Sequence, residues 1–215
     1  MAKTINIRDY IEGSKEKGIK GFLEKENLFR NDITNIDDGD IYNEFALQCE
    51  LGIFLRDCLR PMGYKVQFER NVEFFGGNKK EFIKKEMDIV VFNDDKSEKY
   101  AIELKFPPNG CYEKRMHHFV KDIQFMEEVV QPKEKEGLGF TQTYCLTLIS
   151  DLAKGEKFRT GEGVKGRVAK CFNGANPVEG EFKCKDEKDL IVKGPYHIKW
   201  NQIKDTSFHY YLLEF

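Results

Sequence analysis

Hydrophobic and polar positions divide the middle of the chain into a series of elements. Between Tyr42 and Leu59, "YNEFALQCELGIFLRDCL" is strongly apolar and has no internal proline, which predicts one helix ended by Pro61 and Gly63. "YKVQFERNVEFF" alternates and predicts a strand; "GGN" then turns into the basic segment "KKEFIKKE". "MDIVVF" and "KYAIELKF" predict two further strands joined by the polar turn "NDDKSE". Ile89, Val90, Val91 and Phe92 run continuously, as in a strand covered on both faces. "PPNG" stops the second strand. A stripe of Met116, Phe119, Val120, Ile123, Phe125 and Met126 then predicts a helix from about Glu113 to Val130, and "TYCLTLIS" another buried strand. A helix between two strands in this order predicts a crossover on a largely covered sheet, in an α/β fold.

The two ends are less regular. Residues 1–40 are polar and interrupted, with "IEGSKEKGIKGFLEKENLF" suggesting a short helix ahead of the acidic loop "NIDDGD". After Ser150 the chain is rich in glycine and lysine as far as about Lys185, the composition of a long mobile excursion. "YHIKWNQI" and "FHYYLLEF" predict two closing strands. No repeat or low-complexity tract interrupts the 215 residues. The expectation is a single domain over 1–215, with its core at about 42–150, the excursion at 151–189 and C-terminal strands at 190–215.

Composition narrows the function classes. A hydrophobic fraction of 40% with 33% charged residues describes a soluble globular protein, and no apolar run reaches the length of a membrane span. The N-terminus lacks the apolar region of a secretory signal, so a cytoplasmic protein without a membrane partner is expected. The six cysteines, Cys49, Cys58, Cys111, Cys145, Cys171 and Cys184, contain no C-x-x-C pair and read as free thiols. His117, His118, His197 and His209 do not stand with them at zinc-finger spacing. The glycine-rich excursion contains no P-loop motif and reads either as a charged lid over a groove or as a surface loop.

A formal charge of −2 argues against a surface that coats nucleic acid everywhere, but not against a local basic face. Lys79, Lys80, Lys84 and Lys85 cluster before the Asp88 strand, and residues 154–185 carry eight Lys/Arg against four Glu. Such runs are more often solvated faces than binding sites.

The chemistry concentrates in "EMDIVVFNDDKSEKYAIELKF", where two apolar strands carry Asp88, Glu103 and Lys105. Residues i and i+2 of a strand share a face, so Glu103 and Lys105 point one way and Leu104 the other. If the strands pair, Asp88 meets them. Two carboxylates on a rigid sheet suit Mg²⁺, and a nearby lysine suits a developing phosphate charge. The same residue types also make an ordinary cross-strand salt bridge, and residue type alone leaves both readings open.

The order Asp88, fourteen residues, Glu103, one hydrophobic residue, Lys105 resembles the motif of the PD-(D/E)XK nuclease superfamily. The resemblance covers roughly Tyr42 to Ser150, with Met87 where the family's name has proline. It implies a restriction-endonuclease-like fold, a mixed central sheet flanked by helices. It also implies Mg²⁺ (or Mn²⁺) held by Asp88 and Glu103, with Lys105 as the catalytic lysine.

The family commonly adds a glutamate from the first helix. Glu50, thirteen residues before Gly63, is favoured by distance as a further catalytic residue. Glu44 falls within the apolar stripe of Leu47, Leu51, Phe54, Leu55 and Cys58 and is the other candidate. In the later helix, Lys121, Asp122 and Gln124 occupy a place where family members often keep a polar residue, with Lys121 and Gln124 as candidate phosphate contacts. His117 and His118 diverge by about 100° on a helix and cannot serve one site equally. Phe74, Phe75, Phe172, Trp200, Tyr210 and Tyr211 read as core rather than as base-stacking residues.

The resulting expectation is a metal-dependent nuclease that hydrolyses phosphodiester bonds, of DNA in preference to RNA. It acts as a homodimer or as the cutting part of a larger defence or repair complex. The alternative is a non-catalytic nucleic-acid-binding or assembly protein that keeps the fold and uses the charged cluster for ion pairing.

Overall fold

The structure is a computed structural model that describes residues 4–25, 27–29, 40–107, 112–132, 136–151, 155–161, 166–183 and 188–215. Residues 35–39 of the "NIDDGD" loop, Cys111 and Cys184 lie outside the described residues. In chain order the first half contains α1 (Ile7–Glu12), α2 (Glu44–Leu59), β1 (Lys65–Asn71), β2 (Glu86–Phe92), β3 (Lys99–Lys105) and α3 (Tyr112–Val130). The second half contains β4 (Gln142–Ser150), α4 (Gly155–Thr160), α5 (Arg167–Phe172), β5 (Val178–Phe182), β6 (Leu190–Tyr196), β7 (Asn201–Gln202) and β8 (Phe208–Glu214).

Six strands form one mixed sheet in the order β1-β2-β3-β4-β8-β7, and β5 pairs with β6 in a separate hairpin. β1, β2 and β3 form an antiparallel meander, whereas β3 and β4 run parallel, with Glu103 opposite Cys145 and Lys105 opposite Thr147. Parallel neighbours need a long connection, and α3 is that crossover. The predicted crossover unit and the mixed sheet flanked by helices are both present.

Each face of the sheet carries its own core. On one face Leu47, Leu51, Leu55 and Leu59 of α2 meet Ile89, Val91, Ile102, Leu104, Leu146 and Phe208. On the other, Phe119, Val120, Ile123 and Met126 of α3 meet Val90, Phe92, Ala101, Cys145 and Tyr211. This double coverage is why Ile89 to Phe92 are continuously apolar. Asn43 caps α2 by accepting from the Ala46 amide at 2.8 Å, and Gly63, at φ 86°, follows its end. α2 approaches β1 so closely that a Cβ on Gly52 would lie 2.0 Å from the Phe68 ring.

Four expectations change. The strand read over "YKVQFERNVEFF" stops at Asn71, whose side chain accepts from the Glu73 amide and starts a 3-10 turn over Val72–Phe75. Phe75 is thereby turned into a cluster with Phe74, Phe92 and Phe140. The helix expected within "IEGSKEKGIKGFLEKENLF" is instead α1, a bridge between Ser14 and Ile19 and a 3-10 turn at Phe22–Glu24, because glycines interrupt the segment. The Gly/Lys-rich excursion is not a loose loop where it is described: it builds α4, α5 and β5, with Phe158, Phe172, Val178 and Phe182 buried. "YHIKWNQI" is not one strand, since β6 ends at Tyr196 and β7 holds only Asn201–Gln202.

Cys49, Cys58, Cys145 and Cys171 are free thiols. Phe75, Phe172 and Tyr211 are core residues, as expected. No helix among the described residues is long and apolar enough to cross a membrane.

Candidate active site

Strand parity brings the charged positions together. Asp88 shares its parity with Val90 and Phe92, and Glu103 and Lys105 share theirs with Ala101, all of which belong to the α3 side of the sheet. The ladder between β2 and β3 ends at Ile89 and Ile102, and the register between β1 and β2 passes over Glu69 and Asp88. Glu69 holds a left-handed φ of 49°, uncommon for a non-glycine residue. Released from both ladders, Asp88 is held in other ways. Its Oδ2 accepts from the Leu104 amide at 2.7 Å, and its carbonyl accepts from Gln48 Nε2 at 2.7 Å. The same Gln48 nitrogen donates to Glu69 Oε1 at 2.6 Å.

A chain of ion pairs surrounds Glu103. Lys84 Nζ bridges Glu103 Oε2 and Asp122 Oδ1, the latter at 2.7 Å. Lys105 Nζ lies 3.2 Å from Asp122 Oδ2 and 3.3 Å from Glu44 Oε1, and it donates to the Leu104 carbonyl at 2.7 Å. Glu44 Oε2 accepts from the Phe106 amide at 3.0 Å. Glu103 is 1% exposed and Asp122 4%, while the Glu44 side chain is 39% exposed, so the cluster runs from the core to the surface.

The structure brings Glu44, not Glu50, to this cluster. α2 covers the opposite face of the sheet, and only its first turn reaches past the end of β3. Glu50 lies six residues further, about 9 Å along the helix and about 240° round it. Among the described residues it makes no ion pair or hydrogen bond with the cluster. Distance from Gly63 thus points to a residue outside the cluster, whereas the apolar stripe of α2 includes the one that touches it, Glu44.

On α3 the residue that enters is Asp122. It falls between Phe119 and Met126 on the buried stripe, and a carboxylate inside an apolar stripe marks it in the sequence. Lys121 is half-buried on the same helix. Gln124 is engaged elsewhere: its Oε1 accepts from the Ile191 amide and its Nε2 donates to Glu128, both at 2.8 Å. His117 is half-buried and His118 exposed.

Lys84 is the other residue whose role the sequence hid. Its neighbours Lys80 and Lys85 are exposed, so the basic run reads as a solvated face. Packing turns Lys84 inward: Phe82 is buried against Phe125, and the Ile83 amide donates to Glu128 Oε2 at 2.9 Å. Val72 N also donates to the Lys85 carbonyl at 2.9 Å.

Burial dominates the electrostatics. It pushes the Asp88 carboxyl up to about 6, against the lowering pull of Lys105, Lys84 and the Leu104 amide. Burial, followed by the Asp88 carboxylate, pushes Glu103 well above the usual carboxylate range. For Lys105 burial acts to lower the pKa, but Asp122, Glu44, Asp88 and Glu103 outweigh it and raise the ammonium. Lys84 is raised in the same way, chiefly by Asp122 and Glu103. Both lysines are therefore cationic at neutral pH.

Glu103 Oε1 and Asp122 Oδ2 are buried without a hydrogen-bond partner among the described residues, the Lys105 contact of the latter being outside hydrogen-bond geometry. An oxygen-only donor pair, Asp88 with the unpartnered Glu103 Oε1, has the chemistry that Mg²⁺ or Mn²⁺ takes, since such an ion uses one or two carboxylates and keeps its waters. Among the described residues no three His, Cys, Asp or Glu side chains are arranged to hold a metal ion by themselves. No protein-family model, curated protein or solved structure matches this chain.

Proposed function

We propose that this chain is a divalent-metal-dependent nuclease of the restriction-endonuclease-like kind that hydrolyses phosphodiester bonds, with DNA as substrate. One observation carries the reading: Asp88, Glu103 and Lys105 meet on one face of the sheet, with the Leu104 amide tying Asp88 between the other two. A buried, unpartnered Glu103 oxygen beside a second carboxylate supports the metal.

Asp88 and Glu103 would hold the ion. Bound there, a divalent cation supplies Lewis-acid charge and a water acidified toward neutrality. Lys105 is cationic, so it acts as a hydrogen-bond donor to the attacking water or to a non-bridging phosphate oxygen rather than as a general base. Glu44 and Asp122 hold its ammonium at the edge of the site. Nucleic acid as partner, and a homodimer that cuts both strands, belong to this proposal.

A second reading has its own support. Lys84 and Lys105 already pair Glu103, Asp122 and Glu44, which is what a non-catalytic nucleic-acid-binding or assembly protein would use as an internal ion-pair cluster. Cleavage of supercoiled plasmid and single-stranded DNA in Mg²⁺, Mn²⁺ and excess EDTA separates the two. The nuclease reading expects metal-dependent cleavage that Asp88→Asn abolishes. Salt-sensitive DNA binding that is indifferent to EDTA, with no cleavage, would leave the second reading.

A further inference from the structure

The charge balance of the cluster goes one step beyond the proposed activity. With Asp88 and Glu103 ionised, as metal ligation requires, the four carboxylates Glu44, Asp88, Glu103 and Asp122 face two ammonium groups, Lys84 and Lys105, in the contacts described above, a formal −2. One divalent ion would neutralise it, and two would overshoot. The lysines are not equivalent. Lys105, with a side chain 15% exposed against 23% for Lys84, lies between Asp122 and the more exposed Glu44. Lys84 lies between two nearly buried carboxylates, each of which keeps its other oxygen without a hydrogen-bond partner.

Nothing about Lys84 suggests a side chain resting there by chance. The chain on either side of it is pinned by Phe82 against Phe125, by Ile83 N on Glu128 and by Lys85 O on Val72 N. Its ammonium also stands 5.7 Å from the centroid of the Phe125 ring. Bridging two carboxylates is the usual task of a second cation in a two-metal phosphodiesterase site, where it offsets charge on the attacking or leaving oxygen.

We propose that Lys84 is a tethered second cation: its ammonium, fixed between Glu103 and Asp122, supplies the positive charge that a second metal ion would bring, so that the site accepts one divalent ion. The proposal rests on the metal reading above and adds to it a stoichiometry and a residue. Each carboxylate has one oxygen committed to Lys84, and Glu103 Oε1 is left for the single ion. Lys84 is a positioning residue in this account. It sets which oxygen of Glu103 is free and how much further positive charge the site tolerates.

The test is a count of Mn²⁺ ions bound per chain, by electron paramagnetic resonance and calorimetry, with no cleavage assay required. It is run on the full-length parent, on K84M and on K84R, with circular dichroism to confirm folding. The parent should bind one ion. K84M removes one positive charge beside the ligands and should bind a second ion, or bind the first about tenfold or more tightly. K84R keeps the charge and should behave as the parent.

Two ions on the parent overturn the proposal without any variant, and so does a K84M that binds one ion no more tightly than the parent; in both cases the metal reading survives. If neither protein binds Mn²⁺, with or without DNA, the metal reading itself falls and takes this inference with it.

Discussion

The Leu104 amide donates a 2.7 Å hydrogen bond to Asp88 Oδ2 just beyond the point where the β2–β3 ladder ends, at Ile89 and Ile102. An amide that would normally serve the sheet serves a carboxylate instead, and that carboxylate is thereby fixed between Glu103 and Lys105. Asn can replace Asp as the acceptor, but Ala cannot. Asp88→Asn should therefore melt close to the parent, whereas Asp88→Ala should lose about 1–3 kcal/mol in thermal or urea denaturation. Both should lose metal-dependent cleavage by about a hundredfold or more. Equal destabilisation by the two substitutions would show that the hydrogen bond is not what holds Asp88.

Glu44 and Glu50 make a paired test of the helix contribution. Glu44→Gln weakens the hold on Lys105 and on the Phe106 amide, and cleavage should fall about tenfold or more. Glu50→Gln, away from the cluster, should cleave like the parent. The reverse ranking in single-turnover assays would return the role to Glu50.

His209 supplies a pH dependence outside the candidate site. It is 8% exposed, and its Nδ1 lies 3.5 Å from Asp151 Oδ1. Burial is the largest influence and lowers its pKa below 6.5, Arg159 adding to this and Asp151 opposing it. A depressed folded-state value means that the unfolded chain takes up the proton first. Its contribution is full above about pH 6.5 and is lost as the pH falls from there toward the folded value. The melting-temperature advantage of the parent over His209→Gln should shrink between about pH 7.5 and pH 5. A difference that stays constant across that range would rule out the linkage.

Glu127 anchors the β5–β6 hairpin to α3. Its carboxylate is 4% exposed and accepts from the amides of Lys193 and Gly194, each at 3.0 Å, and from the Tyr196 hydroxyl at 2.8 Å. Glu127→Ala leaves those donors without their acceptor and should cost about 2 kcal/mol locally. Hydrogen exchange at the Lys193 and Gly194 amides should then speed up roughly thirtyfold, more than in β3 or β4. Uniform acceleration throughout the sheet would mean that the hairpin is not a separate cooperative unit.

Much of the central architecture was legible in the chain. Periodicity and punctuation located α2, β2, β3, α3 and β4, because each is long, strongly apolar and bounded by Gly, Pro or polar turns. Parity alone set Glu103 and Lys105 on one face, since a strand alternates its side chains whatever it packs against. The short pieces were not legible. α4, α5 and β5 owe their order to Phe158, Phe172 and Phe182 packing on the core, and a glycine-rich composition conceals that.

The candidate site divides along the same line. Strand period sets Glu103 and Lys105 together, Asp88 joins them on condition that the two strands pair, and the resemblance to the PD-(D/E)XK superfamily groups the three as a motif. Only the tertiary structure decided their companions: Glu44 because the first turn of α2 overhangs the end of β3, Asp122 because α3 crosses the other face, and Lys84 because Phe82 and Ile83 pin its segment inward. These choices depend on where a helix end or a loop comes to rest across the sheet. The apolar stripes of α2 and α3 mark Glu44 and Asp122 as inward positions, but which groups they meet follows only from burying two apolar faces at once.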